Sequence, residues 1–350
     1  MTPHSSPARN WSSTAAGLRN KFSEWEDEMT VNSATGAIRP EDLGFTLVHE
    51  HLSVGWPGWE LDPSDIDRKT EIASAVVKLK EVKELGVRSI VDPCPMDLGR
   101  DPEFAAEVSE KTGVNVIVAT GLYNDALGIP QHFRLMDIDG IAEIYTREIE
   151  EGIGKTGIKA GIIKTATGGI PGITPPGAGI AKSEINCLRA AARAHRKTGA
   201  PILCHNSEVE PFGRETLDIF EEEKVDFNKV MIGHACGVGD MHYYFDILQR
   251  GAWLGFDRFG IETICSDKMR LASLIGLLGV GFDRIMLSHD AVHCWRGRNT
   301  GVLADMMKGS PNWNFTNISR NILPALRKAG VPDAKISTMT TNNPCNYFRK

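Results

Sequence analysis

Clustered basic residues, an apolar run approaching the roughly 20 residues of a membrane span, and a C-x-x-C pair are all missing from this chain. Each absence closes a class of function. A formal net charge of −6 without a basic patch argues against nucleic acid as a partner, because phosphate backbones are met by grouped Lys and Arg. The lack of an apolar span argues against a membrane, and small-molecule substrates become the default. The opening stretch MTPHSSPARNWSSTAAGLRN has no apolar core of the kind a signal peptide carries, so a cytoplasmic location is expected. Seven cysteines (Cys94, Cys187, Cys204, Cys236, Cys265, Cys294, Cys345) are odd in number and scattered. They suit reduced thiols, with neither a disulfide framework nor a zinc knuckle.

What is there is ordinary in bulk, with 41% apolar and 24% charged residues, so disorder and fibrous architecture are excluded. Order along the chain is more telling. From about Gly44, short apolar runs alternate with helical patterns, the mark of repeated βα units around a parallel sheet. Strands are expected at Thr46–His51, Ser89–Pro93, Val114–Thr120, Ala160–Ala166, Pro201–Asn206, Val230–His234, Ala252–Asp257 and Arg284–Asp290. Helices are expected between them, for example over Asp67–Leu85, Ile138–Glu151 and Lys182–Thr198. Strands as uniformly apolar as AGIIKTA or PILCHN need cover on both faces. Eight such units fit a closed (β/α)₈ TIM barrel over residues 31–350 better than an open doubly wound sheet. Residues 1–30 stand apart as an N-terminal helical extension, since Trp11, Ala15, Leu18, Phe22, Trp25 and Met29 fall on one helical stripe. A helix packed on its own barrel or on a partner subunit is the expectation.

The first strand reads FTLVHEH, and side chains alternate along a strand. His49 and His51 should therefore face one way and Glu50 the other, letting both imidazoles reach one cation. Alone, H-x-H is weak. Its place at the end of a barrel strand strengthens it, because active sites of this fold gather where strands pass into loops. Lys164, His205, His234 and Asp290 end the fourth, fifth, sixth and eighth predicted strands, so all six side chains would converge on a metal site. Lys164 needs a special argument, since an ammonium repels cations. Desolvation and nearby cations favour the neutral amine, which can add carbon dioxide or bicarbonate carbon to become a bridging carbamate, N6-carboxylysine. The alternative is an ordinary lysine paired with Asp290 beside a single metal. His289 should face away from the interior, Cys204 and Cys236 read as buried packing, and His195 and His4 as solvated.

The runs GFTLVHEHL, GIIKTA, PILCHN, MIGHACGVGD and LSHD, in this order and spacing from about Ala34 to NPCNYF, resemble the phosphotriesterase family of amidohydrolases. The resemblance implies a binuclear hydrolase, often a homodimer. His49, His51 and Asp290 would bind the buried metal and His205 with His234 the exposed one, bridged by carboxylated Lys164 and a hydroxide. Zinc is the first choice of metal, with cobalt, manganese or iron compatible with the same donors. Tyr123, in ATGLYND, and Arg258, in LGFDRFG, fall where lactonase-like members carry a tyrosine and an arginine. The resemblance thus implies opening of lactone rings, with organophosphate triesters as a side activity. Asp290 is the expected proton acceptor, with Tyr123 and Arg258 completing the catalytic group. A phosphotriesterase proper, another ester or amide hydrolase, and a non-catalytic metal-binding barrel are the alternatives. The segment AVHCWRGRNTG over residues 291–301 departs from the family's pattern and is expected to be a loop, with His293 and Trp295 lining the substrate pocket beside Tyr123 and Arg258.

Overall fold

The computed structural model describes Met1 and residues 30–63, 65–169, 174–175, 177–298 and 307–350. The expected stripe from Trp11 to Met29, His4 and the end of the 291–301 segment lie outside the described residues. A short hairpin, β1 (Val31–Ser33) and β2 (Gly36–Ile38), precedes the barrel. The staves follow as β3 (Thr46–Leu47) and β4 (Glu50–Val54), β5 (Ser89–Asp92), β6 (Asn115–Gly121), β7 (Ile162–Thr167), β8 (Ile202–Asn206), β9 (Val230–Ile232), β10 (Trp253–Phe256), β11 (Ile285–Leu287) and β12 (Ala291–Trp295). Eight of them form one sheet in the order β11-β10-β9-β8-β7-β6-β5-β3. Every pairing within it is parallel. The seam is closed above by the parallel pair β4 and β12.

This closure corrects two sequence expectations. The first stave is not continuous over 46–51, and the eighth stops at Leu287 and resumes as β12 where a loop was expected. Both breaks fall at candidate metal residues. Val48 packs in the barrel interior, so strict alternation would send Glu50 inward. The break at 48–49 shifts the phase by one residue, turning His49 and His51 in and Glu50 out. Glu50 then holds the other side of the seam, accepting from Ser288 Oγ at 2.7 Å, His289 N at 3.0 Å and Ala291 N at 3.1 Å. Asp290 N donates to His49 O at 2.9 Å.

Helices α1 (Arg68–Glu84), α2 (Pro102–Thr112), α3 (Ile138–Glu150), α4 (Lys182–Thr198), α5 (Gly213–Glu222), α6 (Met241–Gln249) and α7 (Asp267–Gly279) wrap the sheet. Their starts are written in local chemistry, because an Asp or Ser before the first turn accepts an otherwise orphaned N–H. Asp67, Asp101, Asp137 and Ser266 do so for Thr70, Phe104, Gly140 and Met269. The lower end of the barrel interior is filled by apolar residues from around the barrel, among them Val48, Val91, Ile117, Ile162, Leu203, Met231, Trp253 and Met286. The larger core lies between strands and helices. Burying each such side chain contributes about 1.5–3 kcal/mol before chain entropy is counted. His195, expected to be solvated, is instead buried at the end of α4, its Nδ1 donating to Ala200 O at 2.8 Å. Among the described residues no helix is long and apolar enough to cross a membrane.

Candidate metal centre

Two residues above the apolar layer, the same inward-facing period delivers Lys164 after Ile162 and His205 after Leu203. His234 and Asp290 need help. Both adopt left-handed backbone, at φ 61° and 53°, a conformation costly for residues with a Cβ and concentrated where function demands it. The turn re-aims each side chain into the barrel mouth.

The six side chains meet there, all buried except Asp290, whose side chain is 13% exposed. Asp290 Oδ1 lies 3.2 Å from both His49 Nε2 and His51 Nε2, and Oδ2 lies 3.6 Å from His234 Nε2. His234 Nε2 is 2.7 Å from His205 Nδ1, and Lys164 Nζ is 2.9 Å from His49 Nε2. Such separations are those of neighbouring donors around a cation held at about 2.0–2.2 Å. The donor atoms of His49, His234 and Asp290 form one compact group, so His234 stands beside both sets of residues that the resemblance assigns to separate metals.

Protonation at two of the imidazoles fits a cation, whereas at His51 burial is outweighed by hydrogen bonds with Asp290 and Asp92, which raise its pKa well above its ordinary value. Burial, then the charge of Lys164, pushes His49 down to about 3. Burial likewise holds His205 well below its ordinary value, so both imidazoles are neutral donors. Burial lowers Lys164 to about 8 against the pull of Asp290 and Asp257, which makes the neutral amine accessible near neutral pH. Gly121, at φ 120°, lets the strands close here, since a Cβ on it would stand 1.9 Å from Lys164 O. Burial disfavours the Asp290 carboxylate, yet His49, His234 and Arg258 outweigh it and hold its pKa well below the usual carboxylate range.

Asp257 is the residue that sequence reasoning missed. It accepts from His49 Nδ1 at 2.8 Å, His234 Nδ1 at 3.2 Å and His234 N at 2.7 Å. A carboxylate behind an imidazole fixes the tautomer that leaves Nε2 free to ligate. The signal was present, because Asp257 ends the seventh stave as the candidate ligands end theirs. Glu208 was also missed: it pairs with Arg258 Nη1 at 2.6 Å while Arg258 Nε reaches Asp290 Oδ2 at 2.9 Å. Arg258 is thus tied to Asp290 and Glu208 rather than to Tyr123. A Cβ on Gly237 would lie 1.7 Å from Glu208 Oε1, so glycine there leaves room for the carboxylate as it stands. Tyr123 is held by its N–H to Asp97, at 3.0 and 3.1 Å, and its hydroxyl lies 3.0 Å from His205 Nδ1.

Above the cluster opens a cavity of about 380 Å³. Its polar wall includes Ser207, Glu208, Arg258 and Asp290, and its apolar wall Val54, Trp56, Leu98, Val292, Trp295 and Trp313. Trp295 lines it as expected. His293 does not join it: its Nε2 meets Ser74 Oγ at 3.1 Å on α1 and its ring faces Phe315. His289 faces away, as expected, accepting Ile318 N–H at 2.8 Å.

The sequence pattern of the phosphotriesterase family matches residues 29–348. The chain belongs to the phosphotriesterase family. A Mycobacterium tuberculosis phosphotriesterase homology protein is 36% identical over 338 residues, covering 91% of this chain and 98% of that protein. An aryldialkylphosphatase of Saccharolobus solfataricus is 34% identical, covering 89% and 97%. A mutant of a Deinococcus radiodurans phosphotriesterase-like lactonase superposes with TM-score 0.84 at 35% identity, covering 91% of this chain and all of that one. Enzymes of this family use a binuclear divalent metal centre, and the His, Asp and Lys donors here suit one. This phosphotriesterase-family chain is therefore a metal-dependent hydrolase on a (β/α)₈ barrel.

Proposed function

We propose that this hydrolase opens lactone rings at a binuclear centre held by His49, His51, His205, His234, Asp290 and carboxylated Lys164, with organophosphate triesters as secondary substrates. The observation that carries the reading is the presence of both Tyr123 and Arg258 on the wall of the cavity that opens over the donor cluster. When bound, two divalent cations would polarise a carbonyl and make water acidic enough to attack at neutral pH. The chain's own groups supply the rest. Burial raises the Tyr123 phenol far above its ordinary pKa, so it stays a hydrogen-bond donor, suited to charge developing on a carbonyl oxygen. A preorganised donor of this kind contributes about 3 kcal/mol. Arg258, neutralised by Glu208 and Asp290, keeps Asp290 anionic and aimed into the cluster. Asp290 would help to hold a metal when one is bound, and its carboxylate would be the acceptor of the proton lost by water. The apolar wall excludes solvent and seats the substituent of the ring.

The alternative, a phosphotriesterase proper, is favoured by the likeness to the aryldialkylphosphatase of Saccharolobus solfataricus. Kinetics of the zinc-loaded or cobalt-loaded protein on γ- and δ-lactones, acyl-homoserine lactones and paraoxon separate the two. Lactones should lead in kcat/KM. If paraoxon beats every lactone, the lactonase reading fails.

A further inference from the structure

Side chains of the segment after Asp290 diverge sharply. Trp295 lines the cavity and meets Trp56 edge-on, with centroids 6.0 Å apart at 83°. The next residue, Arg296, points out of the cavity altogether. Its N–H donates to Val54 O at 2.7 Å, extending the β12–β4 ladder. Its guanidinium enters the slot between α1 and α2, pairing with Glu71 at 2.9 Å and Asp101 at 3.2 Å. It also lies over the rings of Trp59 and Phe104, at 5.7 and 5.4 Å. Only 11% of the Arg296 side chain and 5% of the Glu71 side chain are exposed. Arg298 ties the same turn to Asp62 at 2.6 Å.

We propose that Arg296 determines substrate specificity from outside the cavity: by clamping the turn after β12 onto α1, α2 and Trp59, it fixes the Trp295–Trp56 wall and so selects the apolar arm of the substrate. The proposal rests on the function proposed above for the same cavity. The residue type matters, because a planar guanidinium pairs with two carboxylates and stacks on rings at once, which an ammonium does not. A staple with no bearing on the cavity would change stability alone. A clamp on the wall changes which arm fits, because Trp295 and Arg296 are consecutive residues of one backbone and the wall moves when the clamp opens.

The test compares Arg296→Ala, Trp295→Ala and the double variant, all metal-loaded, on γ-lactones whose alkyl arm grows from methyl to heptyl. Arg296→Ala should lose roughly tenfold in kcat/KM on the longest arm, through KM, the scale of a pocket losing its fit to a methylene or two. The methyl lactone, kcat and metal content should stay unchanged. Trp295→Ala should show the same slope, and the double variant no more than Trp295→Ala. Equal loss on every arm, additive losses or an unchanged slope overturns the proposal. If Arg296→Ala does not fold, Arg296→Lys is read by the same slope. If no lactone is hydrolysed, the proposed function fails by itself. The clamp is then judged by hydrogen exchange of residues 291–298, which must rise in the variant, and by the arm-length dependence of binding read in tryptophan fluorescence. Unchanged exchange or unchanged dependence then sinks it.

Discussion

At its lower end the barrel is plugged by Val48, Val91, Ile117, Ile162, Leu203, Met231, Trp253 and Met286. A few residues along the same staves, its upper end holds His49, Lys164, His205, His234, Asp257 and Asp290. The two layers share staves and differ in chemistry and in local backbone. The lower layer gains by leaving water. The upper one sacrifices that gain, since buried polar and charged groups cost free energy unless paired, and it contains the strained residues His234 and Asp290. Stability and function are thus stacked along one axis, and substitutions in the two layers should separate them.

The largest effect is expected from Lys164→Ala, which should cut kcat/KM by about a thousandfold or more and lower the bound metal from two ions per chain, the order of loss seen when a transition-state contact is removed. Elemental analysis beside kinetics checks both; full stoichiometry with undiminished turnover would end the binuclear reading. In the lower layer, Leu203→Ala should lose about 2–5 kcal/mol of stability through its cavity while metal content per folded chain holds. Chemical denaturation with metal analysis decides, and a parallel loss of metal would erase the distinction between layers. Asp257→Asn is smaller and sharper. It keeps the shape but spoils the tautomers of His49 and His234, and metal affinity should fall about 10–100-fold, as chelator competition would reveal; unaltered affinity would reduce Asp257 to packing.

The smallest effect is a pH dependence below Tyr123. Burial raises Asp97 to about 6, against the hydrogen bonds from the Tyr123 N–H. The folded chain therefore holds a proton on Asp97 at pH values where the unfolded chain has lost it. Its contribution to stability is complete below the ordinary pKa of 3.8 and is lost as pH rises through about 6. Asp97→Asn should accordingly gain on the parent chain as pH rises from 4 to 7, by up to about 1.4 kcal/mol per pH unit. Denaturation series at both values would show it, and a difference independent of pH would refute it.

Much of this organisation was legible in advance. The eight staves and the helices Asp67–Leu85, Ile138–Glu151 and Lys182–Thr198 were found to within a few residues, because apolar runs and capping residues act locally. The six candidate ligands were legible for the same reason, each standing at the end of a run. Glu208 and the Arg258 bridge were not, because their partners are 50 and 32 residues apart and no period links them. His293 was misplaced because β12 forms only against β4, a pairing made by closure of the seam. His195 looked like a solvated helix residue although its partner Ala200 O lies only five residues on; the burial of that face of α4 is what no local pattern showed.

The order of strands and helices, the apolar plug and the identity of the donors were determined by the sequence itself, since hydrophobic periodicity and residue chemistry reside in short stretches of chain. The turn of His49 into the barrel, the left-handed backbone at His234 and Asp290, the hold of Asp257 on two histidines and the clamp at Arg296 were decided only by tertiary structure. Each depends on groups distant in sequence being brought together when the first stave meets the eighth and the helices close around them.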